Sequence, residues 1–153
     1  KQWFDGTVIL SGSIGDGHSV ASAIALGADF AYLGTRFIAT EEANAEPEYK
    51  KMLEESAAKD IVYSSLFTGV LGNYLKPSIE NAGMDPENLP DADKTSMNFG
   101  SGGNTDSKAW KDIWGSGQGI GGIQDSPSVS ELVGRLKKEY EEAFNEFKSK
   151  MGV

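Results

Sequence analysis

Two short apolar runs, separated by a glycine-rich turn and an alanine-rich stretch, constrain this chain most. Thr7-Val8-Ile9-Leu10-Ser11 is one run and Phe30-Ala31-Tyr32-Leu33 the other. Between them lie Gly12-Ser13-Ile14-Gly15-Asp16-Gly17-His18 and then residues 19–26, where Val20, Ala23 and Ile24 share one helical face. Gly27 suits the position just past a helix, where φ is positive. Short apolar runs bounded by glycines read as buried parallel strands. The spacing therefore predicts strand, helix, strand: one βα unit feeding a parallel neighbour. Parallel neighbours lie about 4.8 Å apart, so the loops after the two strands share the carboxyl edge of the sheet. Their N–H groups can converge on one anion. A helix starting near Ser19 would add the positive end of its dipole.

In (β/α)8 barrels the loops after strands 7 and 8 form the recurring phosphate site, and this pair reads as those two strands. A closed barrel takes roughly 250 residues, whereas this chain has 153. A small α/β domain is the simpler expectation. The preferred one is α/β as the C-terminal portion of a (β/α)8 TIM barrel, with strands 7 and 8, the final helix and a mostly helical excursion. Fourteen basic against 23 acidic side chains give a net charge of −9, which argues against nucleic acid as a partner. There is no Cys and one His, so thiolate or His-rich metal sites are not expected. No apolar run approaches the roughly 18 residues of a membrane span. With no secretory signal visible, cytoplasmic is the default localisation.

The rest of the chain changes character at Thr40. Residues 41–47 read as a polar helix start, and Tyr49, Met52, Leu53 and Ser56 continue a helical stripe to about Ala58. Residues 60–65 have strand composition. Pro77 opens a short helix that Gly83 stops. Residues 84–106 form a long loop, of the kind that is often functional. Residues 108–114 read as one or two helical turns, and residues 116–123 are a second glycine-rich stretch. Val129, Leu132, Val133, Leu136, Tyr140, Ala143, Phe144 and Phe147 recur as an amphipathic helix, with Ser126 as N-cap and Pro127 at N1. The expected division is residues 1–40 for the two strands and their loops, 41–123 for an excursion or lid, and 124–153 for the final barrel helix.

The stretch from residue 11 to 45 resembles the FMN-dependent barrel enzymes of the nitronate monooxygenase (2-nitropropane dioxygenase-like) family. The resemblance rests on Gly15-Asp16-Gly17, on Gly27-Ala28-Asp29 and on Leu33-Gly34-Thr35-Arg36-Phe37. It continues through Gly72-Asn73-Tyr74-Leu75-Lys76-Pro77, Asn98-Phe99-Gly100-Ser101-Gly102-Gly103-Asn104 and Gly117-Gln118-Gly119-Ile120. It implies a flavoprotein oxidoreductase that oxidises alkyl nitronates with dioxygen, a small-molecule substrate, and either a homo-oligomer or an N-terminal barrel half as partner. Related barrels that reduce enoyl thioesters or act on inosine monophosphate (IMP dehydrogenase-like) stay open, as does a non-catalytic fragment.

In such enzymes backbone amides after strands 7 and 8 hold the flavin phosphate. Carried over, this implies Gly12, Ser13 and Ile14 on one loop and Tyr32, Leu33, Gly34 and Thr35 on the other, with Arg36 adding charge. A dianion in an acidic protein needs fixed N–H dipoles, and glycine allows close approach. The family often has two glycines where this chain has Gly12-Ser13; Ser keeps the N–H and is tolerated where its φ is negative. The family's catalytic His lies on an earlier strand, outside this chain, so no catalytic residue is assigned here. His18 sits beside the phosphate loop, where the family commonly has Arg; it either touches the phosphate or is an exposed first-turn residue. Tyr63, Phe67, Tyr74, Trp110 and Trp114 either line a pocket over a flavin ring or form the core of the excursion. The turn at residues 69–72 is a hinge candidate.

Overall fold

The computed structural model describes residues 3–90 and 112–152. They fall into two compact units, Lys1–Glu55 with Gly119–Val153, and Ser56–Gln118. Helices and strands occur in both, so the chain is mixed α/β.

In the first unit, β1 (Ile9–Ser11) and β2 (Phe30–Tyr32) form a parallel pair in the register Ile9–Phe30, Leu10–Ala31, Ser11–Tyr32. Helix α1 (Gly17–Ala25) connects them. β1 begins at Ile9 rather than Thr7, and β2 at Phe30 as expected; Asp29 ties the sheet's entry. Its carboxylate accepts from the Val8 amide at 2.8 Å, while the Asp29 amide donates to the Val8 carbonyl. Both strands were expected to be buried, and the structure corrects this. Ile9 is 58% exposed, Phe30 60% and Tyr32 64%. Two strands with one connecting helix leave most of the sheet surface uncovered.

After β2 come α2 (Thr35–Ile38) and α3 (Pro47–Glu55). The third helix ends three residues before Ala58, where a short 3-10 turn (Ala58–Asp60) begins. The long C-terminal helix α5 (Val129–Met151) packs on α1. Its N-cap is Ser128, not Ser126: the Ser128 hydroxyl accepts from the Glu131 amide and the Glu131 carboxylate accepts from the Ser128 amide. This reciprocal pair satisfies two otherwise unpaired groups. Ser126 instead donates to Glu54 Oε1 at 2.6 Å. The core of this unit is Ala23, Ala39, Leu53, Ile120, Ile123 and Leu132. The apolar stripe of α5 is buried at Leu132 and half-buried through Leu136, Tyr140 and Ala143, while Phe144 and Phe147 are 49% and 58% exposed. At 1.5 Å per residue α1 is about 14 Å long and α5 about 35 Å, so α1 cannot cover the whole stripe.

The second unit contains an antiparallel pair, β3 (Ile61–Ser64) with β4 (Gly72–Leu75), and then α4 (Lys76–Asn81). The strand composition at 60–65 is realised. Its partner β4 was not foreseen, because Gly72-Asn73 reads as turn rather than strand. Residues 69–71 are correspondingly the end of the hairpin connection and Gly72 opens β4, with Gly69 at φ 75°. Pro77 lies in the first turn of α4 and Gly83, at φ 82°, follows its end, as the residue order predicts. Phe67, Tyr74, Ile79 and Ile113 form the core, flanked by Val62, Leu66, Met84 and Leu89.

Candidate functional site

The chain leaves β1 through two consecutive residues in the left-handed region, Gly12 at φ 98° and Ser13 at φ 56°. A turn of this kind gathers successive N–H groups into a concavity suited to an anion. The Gly12 amide completes the parallel ladder toward Tyr32, and among the described residues neither the Ser13 nor the Ile14 amide donates to a protein acceptor. Ser13 thus departs from the negative φ expected for it. A non-glycine residue held there costs roughly 1–2 kcal/mol, which explains why a second glycine serves well at this position. Gly119 packs directly behind the turn: a methyl group built on it would lie 2.9 Å from the Ser13 carbonyl carbon.

The second loop leaves β2 at Tyr32. Ser11 and Tyr32 are partners in the parallel register, and the Ser11 hydroxyl donates to the Tyr32 carbonyl at 3.5 Å. The two loops therefore depart from neighbouring points on the same sheet edge. Gly34 precedes α2 with no side-chain cap, at φ −109°. This backbone is open to any residue, and a methyl group at Gly34 meets nothing within 4 Å. Neither backbone conformation nor packing among the described residues requires glycine here. All seven candidate residues, Gly12, Ser13, Ile14, Tyr32, Leu33, Gly34 and Thr35, lie at this edge.

Two neighbouring groups, the start of α1 and Arg36, behave differently from expectation, and His18 takes one of its two expected places. Helix α1 starts at Gly17 rather than Ser19, and two of its first-turn donors are spent inside the protein. The Ser19 amide donates to Asp16 Oδ1 at 2.7 Å and the Gly17 amide to Glu139 Oε2 at 2.7 Å. Ser19 Oγ accepts from the Gly15 and Asp16 amides. Two carboxylates already face the positive end of that helix. Arg36 does not point toward the loops as free charge. It is 3% exposed and donates to Asp125 Oδ1 (2.9 Å), the Asp125 carbonyl (3.0 Å) and the Ala39 carbonyl (3.1 Å). Burial pulls the Arg36 guanidinium below its ordinary pKa, and Asp125 opposes that pull. Asp125 also pairs with Arg135, whose hydrogen bond is the main cause holding the carboxyl below the usual carboxylate range. His18 is exposed and turned toward α5, lining a surface hollow with Tyr140, Phe144 and Glu146.

The aromatic residues of the second unit divide. Phe67 and Tyr74 are buried, edge to face at 4.8 Å, and the Tyr74 hydroxyl donates to Thr68 Oγ1 at 3.2 Å. These two are core. Tyr63 is 63% exposed. Trp114 is half-buried, with its amide on Ser78 Oγ at 3.0 Å. Trp110 lies outside the described residues, as do most of 84–106 and 108–111. Among the described residues no three His, Asp or Glu side chains cluster as a metal site, and no helix is long and apolar enough to cross a membrane.

The sequence pattern of the nitronate monooxygenase family matches residues 6–139. The chain belongs to the nitronate monooxygenase family. A nitronate monooxygenase from Paraburkholderia phytofirmans is 30% identical over 146 residues, covering 92% of this chain and 40% of that protein. A probable nitronate monooxygenase from Bacillus subtilis is 28% identical over 146 residues, covering 86% of this chain and 39% of that protein. The chain thus spans about two fifths of the length of the curated relatives it matches. Among solved structures, FabK from Thermotoga maritima superposes with a TM-score of 0.67 at 21% identity, over 95% of this chain and 48% of that one. A nitroalkane oxidase from Streptomyces ansochromogenes gives 0.64 at 22% identity, over 94% of this chain and 42% of that one. At such identity the likeness establishes a shared fold. Membership in the nitronate monooxygenase family gives the two-loop edge its interest.

Proposed function

We propose that this chain is the C-terminal, FMN phosphate-binding portion of a (β/α)8 nitronate monooxygenase, an oxidoreductase that oxidises alkyl nitronates with dioxygen. The single observation that carries the reading is the consecutive left-handed pair Gly12 and Ser13, followed by the undonated amides of Ser13 and Ile14. It stands at the sheet edge beside Gly34, in a chain of the nitronate monooxygenase family. The donor set fits a phosphate dianion: neutral N–H dipoles that need no counter-charge in an acidic chain, and an open position at Gly34 that a Cβ would fill. Gly12, Ser13 and Ile14 would hold one side of the phosphate, and the backbone of Tyr32, Leu33 and Gly34 with the Thr35 hydroxyl the other. Bound FMN supplies the electron-accepting ring; these residues bind and orient it and move no proton.

His18, the only His of the chain, faces α5 and is given no part in the chemistry. The family's catalytic His belongs to an earlier strand. The test is a flavin titration of the purified chain together with an oxygen-electrode assay. FMN should bind more tightly than riboflavin, which lacks the phosphate. The 153-residue chain should show no nitronate-dependent oxygen consumption above free FMN. Equal affinity for the two flavins would remove the phosphate assignment. Robust turnover that vanishes in His18→Ala would overturn the division of labour.

A further inference from the structure

Both candidate phosphate loops lean on one short segment, residues 119–125, which enters α5. At its start Gly119 stands against Ser13. A Cβ at Gly119 would fall 2.9 Å from the Ser13 carbonyl carbon, 3.0 Å from its oxygen and 3.1 Å from its Cα. All three are backbone atoms, so none can swing aside. Gly119 itself is not in the left-handed region, so close approach, not conformation, is the reason for glycine. At the segment's end Asp125 accepts from the buried Arg36 through both its carboxylate and its carbonyl, and Arg36 lies two residues past Gly34. The other face of Asp125 takes two hydrogen bonds from Arg135 of α5, at 2.9 and 2.6 Å. Between these ends Ile120 and Ile123 are buried at 0% and 2% exposure, which anchors the segment in the core.

We propose that residues 119–125 are a brace that sets the spacing of the two loops, with Gly119 and Asp125 as positioning residues for the phosphate of the flavin. The inference rests on the reading that these loops hold that phosphate. The brace explains how Ser13 is kept in a conformation it disfavours: backbone packs behind the turn, so the turn cannot relax toward Gly119. It also gives Arg36 a use in the site although its charge is spent on Asp125. The guanidinium pins the start of α2, and with it Gly34 and Thr35, to the same segment that supports Ser13. The later part of the glycine-rich stretch, residues 119–123, thereby becomes part of the site without touching a ligand.

The test compares the full chain with its Gly119→Ala and Asp125→Asn variants, titrating FMN and riboflavin by flavin fluorescence. Each variant should weaken FMN at least tenfold and change riboflavin less than twofold, since only the phosphate reads the loop spacing. Equal losses for the two flavins would reduce the brace to general stability, and unchanged FMN affinity would remove it. A separate arm needs no flavin. In amide NMR spectra of the ligand-free chain, Gly119→Ala should move the Gly12, Ser13 and Ile14 resonances, and Asp125→Asn those of Gly34 and Thr35. If the wild-type chain does not prefer FMN, the phosphate reading has failed, and unmoved resonances then sink the brace independently. Should Gly119→Ala not fold, Asp125→Asn and Arg36→Lys carry the same comparison for the second loop.

Discussion

The Gly17 amide donates to the Glu139 carboxylate at 2.7 Å, joining the first residue of α1 to the middle of α5 across 122 positions of sequence. Gly17 can be reached because it has no side chain. A Cβ there would lie 2.2 Å from the Leu136 carbonyl oxygen and 2.5 Å from the Tyr140 amide. The two helices touch backbone to backbone at this point. The first turn of α1 gains an anionic acceptor, and the turn carrying Ser13 is held from its far end.

Gly17→Ala should therefore separate α1 from α5. Overpacking of this kind costs roughly 1–3 kcal/mol, enough to lower Tm by several degrees in a small domain. Glu139→Ala leaves the packing and removes the acceptor, at about 1 kcal/mol. Thermal denaturation followed by circular dichroism checks both. A Gly17→Ala protein as stable as wild type would mean that the helices do not approach this closely.

Gly34→Val separates ligand approach from folding. The backbone at φ −109° accepts Val, and the added side chain starts in open space. Tm should stay within about 2 degrees of wild type, since surface changes free of named packing defects stay within about 0.5 kcal/mol. FMN affinity should fall at least tenfold. Retained affinity at unchanged stability would send the phosphate elsewhere.

Ser13→Gly should stabilise the chain. Relief of the left-handed conformation returns roughly 1–2 kcal/mol, and the freer unfolded glycine takes back roughly 0.5–1 kcal/mol. The net gain is between about 0 and 1.5 kcal/mol, readable as a rise in the urea midpoint. Ser13→Val, β-branched and at φ 56°, should lose stability. A lower midpoint for Ser13→Gly would contradict the left-handed assignment.

The Asp125 carboxyl gives a pH dependence of known sign. Its pKa is held low in the folded chain, first by the hydrogen bond from Arg135 and also by Arg36. A group lowered on folding contributes stability above its unfolded pKa of about 3.9. That contribution is lost as pH falls through the lower folded value. The Tm difference between wild type and Asp125→Asn should be constant above about pH 5 and shrink below about pH 4. A difference that grows on acidification would show that the ion pairs do not act as drawn.

Read in order, the residues revealed what neighbours in sequence control. The alternation of apolar run, glycine turn, helix and apolar run set the parallel pair and the edge from which both loops depart. Pro77 and Gly83 marked α4, and the stripe from Val129 onward marked α5, because helical periodicity and terminal residues act within a few positions. What depended on distant partners stayed hidden. The Ser13 backbone sign depends on Gly119 packing behind it. Arg36 looked like free charge until Asp125, 89 residues away, took it. Ser128 rather than Ser126 caps α5, paired with Glu131, while the Ser126 hydroxyl reaches Glu54, 72 residues away, and Gly17 is glycine because α5 lies against it. Local propensity can name an element and its turn chemistry. Which polar group is spent, and which backbone is held in a costly conformation, is decided by contacts that exist only once the chain has closed on itself.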